Sequence, residues 1–478
     1  MAYIKGVSRE QQLLFPDVID DYISEDNPVR FVDVFVDNLD LEKLGFEKAK
    51  AAATGRPPFD PGDLLKLYIY GYLNRVRSSR RLETETHRNV EAMWLLKKLK
   101  PDFKTIADFR KDNIKAFKKV FREFTLLCRK LDLFGKELIA IDGSKFKAVN
   151  NKDKNLTKNI LNKKLKEIDE KIDNYLKELD KGDEAEQGDH RPTATELKEK
   201  IAQLKKRKRG YKELSSEIER NGESQISLTD PDSRAFPKKF GVGVGYNAQV
   251  AVDDKHHLIV AQDVTNAVTD VDQLSEIAIN AKETLETETI KAVADAGYCN
   301  AREIKVCEEA GIEAYTPRIP TSINKNRGLF TKDMFKYDRK KNCYICPAGK
   351  KLTYRFKGIE KRRDKTREVL YYVSGECRKC QKKPQCTTAE ARRITRCPEE
   401  HAIDRMNDRI KAHPEIIEKR KQIVEHVFGT IKFWNKQKDF LMRGLEKVRA
   451  EFSLSTLAYN IKRVINIIGI RKMVEALS

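Results

Sequence analysis

The chain has no uninterrupted apolar run near the ~18 residues that a membrane-spanning helix needs. Its first residues, MAYIKGVSREQQLL, hold no apolar stretch of the kind that directs secretion, so no signal peptide and a reducing, cytoplasmic setting are expected. Glycine and proline are sparse, 23 and 15 of 478 residues, and no glycine repeat suggests a fibre. Disorder is excluded because 40% of the residues are hydrophobic. At about 150 residues per domain, the length allows more than one packed core. Acid is also in deficit: Asp and Glu number 74 against 95 Lys and Arg, a net +21. Such a surplus favours a polyanionic partner, nucleic acid first. An anionic membrane surface is the weaker reading, because no basic amphipathic anchor stands out.

The surplus is unevenly spread. Residues 1–50 carry 6 basic and 11 acidic side chains, residues 51–130 carry 19 and 9, and residues 341–397 carry 17 and 5. Two basic blocks separated by a more balanced stretch suggest two surfaces that meet phosphate backbone. The alternative is a solvated surface.

Residues 28–135 read as helical. Leu64, Leu65, Tyr68, Ile69 and Tyr72 recur at helical spacing and are followed by Arg75, Arg77, Arg80 and Arg81. Thr105 and Asp108 resemble a capping box. Short helices with arginines at their junctions suit a helix-turn-helix-like DNA-binding module. A buried strand is predicted from Leu138 to Ile141, ending in Asp142-Gly143. Leu161, Leu165, Ile168, Ile172, Tyr175 and Leu179 form a heptad seam, and Leu197, Ile201, Leu204, Tyr211 and Ile218 a second one. Together they predict an antiparallel helical hairpin over about 151–222. Residues 226–265 alternate as strands around an Asp253-Asp254-Lys255 turn. A helix (270–286), a strand ending at Asp295, a helix (301–310) and a strand (312–315) follow. This order is a mixed α/β sheet. The chain closes in helices, including an amphipathic run from Val448 to Ile468.

Asp142 and Asp295 each end an apolar strand, and two such carboxylates can converge at one sheet edge, where open α/β sheets place ligands. Aspartate before a small residue is also ordinary turn chemistry. Lys421, Glu425 and Lys432 share a helix face, which also admits a plain ion pair. Five of the nine cysteines cluster: Cys343-x2-Cys346, thirty intervening residues, Cys377-x2-Cys380, then Cys386 after five more. Paired CxxC spacings predict one structural Zn²⁺ held by four of them.

The segments IAIDGSK, ADAGY and IVEHVFGTIK, in that order, resemble the three catalytic blocks of bacterial insertion-sequence transposases with an Asp-Asp-Glu site. RGLEKVRAEFSLSTLAYNIKRVINIIG is similar to the C-terminus of one branch of that group. PDFKTIADFRKDN resembles the end of its N-terminal domain, and CYICPAG…CRKC…C its cysteine-rich insertion. The matches span roughly residues 15–470. The resemblance implies a ribonuclease-H-like mixed sheet with flanking helices, preceded by an all-α domain and carrying the helical hairpin and a zinc-knuckle insertion. The implied domains are 1–135 for DNA binding, 136–335 for the first part of the core, 336–398 for the cysteine-rich insertion and 399–478 for the C-terminal core helices. It further implies a nucleoid-associated enzyme that binds terminal inverted repeats and target DNA, acting as a homodimer or larger. Asp142, Asp295 and Glu425 would hold two Mg²⁺ ions for strand cleavage and transfer. Relatives carry Tyr, Arg, Glu and Lys along the last helix. Glu425 and Lys432 match; Lys421 stands at the Arg position with Arg420 beside it, and Glu418 at the Tyr position. Arg75, Arg77, Arg80, Arg81, Arg420, Lys421 and Lys432 are the expected DNA contacts. The competing readings are a non-catalytic DNA-binding protein derived from a mobile element and a metal-dependent nuclease.

Overall fold

A computed structural model describes residues 18–50, 57–150, 154–182, 194–220, 222–237, 242–318, 323–362 and 365–477. Up to residue 137 the described chain holds only helices: α1 (Pro28–Asp37), α2 (Leu41–Leu44), α3 (Pro61–Leu73), α4 (Ser79–Arg88), α5 (Val90–Leu95), α6 (Phe103–Asp112) and α7 (Ile114–Lys130), after a short 3-10 turn. Local chemistry sets their ends. Asn27 and Asp60 cap helices that open on proline, whose missing N–H costs nothing at that position. Helix α6 starts two residues before the expected Thr105 box: the Asp102 carboxylate accepts from Lys104 N and Thr105 N at 2.9 and 3.0 Å. Every residue of α3 is buried, so it is a core helix rather than a surface one.

The central sheet contains β1 (Leu138–Lys147), β4 (Arg234–Pro237), β5 (Val242–Asp253), β6 (Ile259–Thr265), β7 (Ile290–Ala294) and β8 (Ile312–Tyr315); the small ladder of β2 (Asn155–Thr157) and β3 (Gln225–Ser227) stands apart. Strand order is β6-β5-β1-β7-β8, with β4 on the same side of β5 as β6. Strands β6, β5 and β1 are antiparallel in turn, whereas β1, β7 and β8 run parallel. The mixed sheet is as the sequence pattern indicates. Strand β1 differs in length: it runs on to Lys147, because β5 is long enough to pair it as far as Lys147↔Gly245. Its parallel partner β7 stops at Ile141↔Ala294. Asp142 therefore lies inside a strand, at the point where one neighbour ends. Helices α10 (Leu274–Leu285) and α11 (Ala301–Glu309) make the crossovers.

Two excursions leave this body. Helices α8 (Lys158–Gly182) and α9 (Ala194–Arg220) form the expected hairpin. Leu161 meets Ile218, and Ile168 and Ile172 meet Ile201, in two small apolar cores separate from the main one. The reversed pairing order makes them antiparallel. After α12 (Ile323–Asn326), strands β9 (Lys336–Asp338), β10 (Cys343–Ile345), β11 (Lys351–Arg362), β12 (Lys365–Val373) and β13 (Arg393–Arg396) form a second sheet around Phe335, Tyr344, Leu352, Tyr372 and Ile394.

The chain returns through α13 (Glu400–Ala412), α14 (Glu415–Gly429), a π-turn (Thr430–Trp434) and α15 (Leu445–Glu475). The amphipathic helix expected at 448–468 is instead buried nearly all round between Val448 and Ile461. It packs against α1, α3 and α7 on one side and β6 on the other. The polar residues in this stretch face the interior and are paired. Asn460 accepts from Ile259 N and donates to Ile259 O, while Ser453 accepts from Gln262. Glu451, fully buried, accepts from Arg77 Nη1 at 3.2 Å and from the backbone of Leu441 and Met442. Burial pushes the Glu451 carboxyl upward; the Arg110 and Arg77 charges and the two backbone donors pull against it. One apolar core thus runs from the N-terminal helices through α15 into the sheet. No helix of the described residues is long and apolar enough to cross a membrane.

Candidate active site

Asp142 and Asp295 follow the last parallel pair, Ile141↔Ala294, so the register sets them side by side at the edge. Asp295 caps a 3-10 turn, accepting from Gly297 N at 2.7 Å. The Asp142 side chain is 22% exposed. Burial pushes its carboxyl up to about 6, with Asp295 and Asp270 adding to the rise and Arg420 and the Gly143 N–H opposing it.

Helix α14 supplies the third acid. Arg420 Nη1 lies 3.8 Å from Asp142 and its Nη2 3.4 Å from Glu425, so one guanidinium bridges the helix carboxylate to the strand carboxylate. Arg420, rather than Lys421, reaches the site; Lys421 and Glu418 are exposed. Beyond Glu425 the helix loosens into the π-turn, a distortion common at functional sites. Lys432 lies in that turn. It donates to Ser144 Oγ and, at 2.9 Å, to the Lys145 carbonyl, and its ammonium sits 4.5 Å from the Phe146 ring centre.

Asp270 was not legible in the sequence, since it lies in a polar loop outside any strand. Its carboxylate accepts from Asn247 and Gln249 at 2.6 and 2.8 Å and from Lys145 at 3.4 Å. Gln249 in turn accepts from the buried Tyr298 hydroxyl. This network closes over Gly143. A Cβ there would strike the Gln249 amide and come within 2.8 Å of both Asp270 Oδ1 and the Tyr298 hydroxyl. Gly143→Ala should therefore destabilise the protein by about 1–3 kcal/mol. It should also displace Asp142, and chemical denaturation with a parallel nuclease assay checks both; an alanine variant of unchanged stability would show that the network yields.

The arginines of the first basic block divide. Arg77 is taken up inside the protein, on Asp439 O at 2.8 Å, Asp439 Oδ1 at 3.3 Å and Glu451. Arg75, Arg80 and Arg81 are exposed. Arg75 lies 6.0 Å from the Trp434 ring centre and Arg80 5.2 Å from that of Phe103. Phe433 and Trp434 in the π-turn are 68% and 65% exposed, unusually open for such side chains.

Among the described residues no three His, Cys, Asp or Glu side chains are grouped so as to hold a metal ion as they stand. The expected zinc site is therefore not supported. Cys343 is buried in its strand between Asp338 and Thr353, apart from the cavity that Cys346, Cys377, Cys380 and Cys386 line. Burial pushes the Cys386 thiol up, and the other three thiols add to this. The carboxylate site fares better by its donors. Asp142, Asp295 and Glu425 offer the hard oxygens that Mg²⁺ takes, although as they stand Arg420 lies between Asp142 and Glu425.

Residues 345–465 match the family model described as Transposase DDE domain, a span that includes Glu425 and Lys432. Residues 17–112 match the one described as Transposase domain (DUF772). No curated protein is significantly similar to the chain. Among solved structures, a piggyBac transposase synaptic complex with hairpin DNA aligns over 95% of this chain and 79% of that one, at 8% identity and a TM-score of 0.31. That likeness is too slight to argue from.

Proposed function

The chain belongs to the DDE transposases of insertion sequences, and from that premise we propose that it cuts and rejoins DNA at the ends of such an element through Asp142, Asp295 and Glu425. The observation that carries this reading is the parallel register of β1 on β7, with Arg420 tying Glu425 to Asp142. The strand order, three antiparallel strands followed by two parallel ones, supports reading the sheet as a ribonuclease-H-like core. We assign residues 1–135 to end binding, 136–335 and 399–478 to the core, and 336–398 to an insertion in it.

A DDE domain implies a divalent metal, Mg²⁺ by preference. When bound, it would activate the attacking oxygen and stabilise the leaving one. Asp142 and Asp295 would hold it, with Glu425 released from Arg420. The remaining work falls to cations. Were Glu425 to serve the metal, Arg420 would be left to accompany a phosphate, and its planar fork suits that role better than a lysine. Lys432 is held on β1 two residues from Asp142 and supplies a fixed positive charge beside the scissile group. Exposed Arg75, Arg80, Arg81 and Lys421 are assigned to the DNA backbone, where each phosphate contact steepens the log–log salt dependence by about 0.9.

The test is cleavage of a plasmid carrying the two DNA ends that flank the coding sequence. With Mg²⁺, strand cuts should map to those ends, and Glu425→Gln should abolish them while leaving DNA affinity within about twofold. Binding without cutting by the native protein would favour the non-catalytic reading. Cuts that ignore the ends would favour a nuclease.

A further inference from the structure

The insertion that interrupts the core carries a projecting ribbon. Strand β10 covers β11 only over Lys351–Thr353, and β13 covers β12 only over Leu370–Val373. Beyond these, β11 and β12 pair only with each other as far as Arg362↔Lys365. A two-stranded ribbon with no cover is marginal in water, and here it also exposes large apolar side chains. Tyr354, Phe356 and Ile359 are 45%, 50% and 65% exposed. Phe356 stacks on Tyr371, its partner across the ribbon, with ring centres 4.6 Å apart. A register shift between Tyr354 and Phe356 leaves the intervening Arg355 exposed and turns the two aromatics to opposite faces, Tyr354 beside Tyr372 and Phe356 beside Tyr371.

Charge decides which partner this surface fits. Residues 351–367 contain eight Lys or Arg and two Asp or Glu. Among the described side chains, two of those cations are answered from within the ribbon, Lys357 by Glu368 at 2.7 Å and Arg367 by Glu360 at 2.8 Å. The surplus remains. A second copy of the chain would bring the same positive ribbon against this one, which repulsion opposes. A polyanion meets no such penalty. The width also fits, since the major groove of duplex DNA admits a two-stranded β-ribbon.

We propose that the β11–β12 ribbon is a second DNA-binding element, which enters a groove of duplex DNA with Arg355 on one phosphate, Lys357 exchanging Glu368 for another, and Tyr354 and Phe356, on opposite faces of the ribbon, against the two groove walls. This rests on the transposase reading and adds to it a contact on the insertion, distinct from the arginines of the helical region.

The test uses the full-length protein and a 40-base-pair duplex of arbitrary sequence, with affinity measured across a salt series. Two phosphate contacts contribute about 1.8 to the log–log slope. Arg355→Gln with Lys357→Gln should therefore flatten the slope by about that amount, and Arg355→Lys with Lys357→Arg should restore it. Tyr354→Ser with Phe356→Ser should weaken binding by one constant factor at every salt concentration and leave the slope alone. All sites are exposed, and matching melting curves confirm folding. If the native protein binds the duplex as described and the Gln pair leaves slope and affinity unchanged, the ribbon assignment is overturned while the transposase reading stands. If the Ser pair instead lowers the sedimenting mass of the DNA-free protein, the ribbon joins copies of the chain and the assignment is likewise overturned. A native protein with no salt-dependent affinity for duplex removes both.

Discussion

Asp142→Asn is expected to abolish metal-dependent strand cleavage and, in the same protein, to raise the stability of the metal-free fold at neutral pH. The first effect follows from losing a hard, charged ligand. Charge stabilisation by a bound metal is worth several kcal/mol, and about 1.4 kcal/mol is tenfold in rate, so a fall of about a thousandfold or more is predicted. The second follows from burial. The native carboxyl titrates near 6 rather than 3.8, so between those values the folded protein binds a proton that the unfolded chain has lost. Stability from this group is therefore full below about pH 4 and is lost as pH rises through about 6. The loss is at most about 3 kcal/mol, with the opposing Arg420 charge already included. Asparagine cannot ionise, so the variant should lack this part of the pH dependence. Denaturation with chelator at pH 4.5 and 7.5, for both proteins, reads the difference. Parallel profiles would contradict the buried-carboxylate account.

The second large effect lies far from the chemistry. Glu451→Ala should destabilise the protein by about 3–5 kcal/mol, the range for removing one partner of a buried ion pair. Arg77 and the Leu441 and Met442 N–H groups all donate to this one side chain. Glu451 also sits where α15 meets the N-terminal helices, so the loss should appear in one cooperative transition rather than in a separate melting of residues 18–130. Denaturant titration followed by both tryptophan emission and far-ultraviolet dichroism distinguishes these. Two separated transitions would show that the N-terminal helices fold apart from α15.

The sequence showed the parts of this architecture that depend on local pattern. Strand β8 falls where alternation puts it, at 312–315. The α8–α9 seam is visible in its heptad spacing because the pair packs largely on itself. Helix α15 misled for the opposite reason: its serines, threonine and Asn460 suggest a wet face, but the sheet and other helices supply their partners. The same limit governs the site. Asp142 and Asp295 stand out because apolar strands lead into them. Arg420 does not, because its choice over Lys421 depends on where α14 lies on the sheet, which no local spacing encodes. Asp270 reaches the site only through the folding of its loop onto β5. The cysteines are an intermediate case: Cys346, Cys377, Cys380 and Cys386 line one cavity, but among the described residues no three of them are grouped so as to hold a metal ion.

Asp142, Asp295 and Glu425 are proposed to hold a divalent metal where β7 ends beside β1. Anomalous diffraction from crystals grown with Mn²⁺ tests this most directly. A peak within coordination distance of both Asp142 and Asp295, absent from Asp295→Asn crystals grown alike, is the predicted result. Manganese bound only elsewhere, or a peak that survives the substitution unchanged, would contradict it.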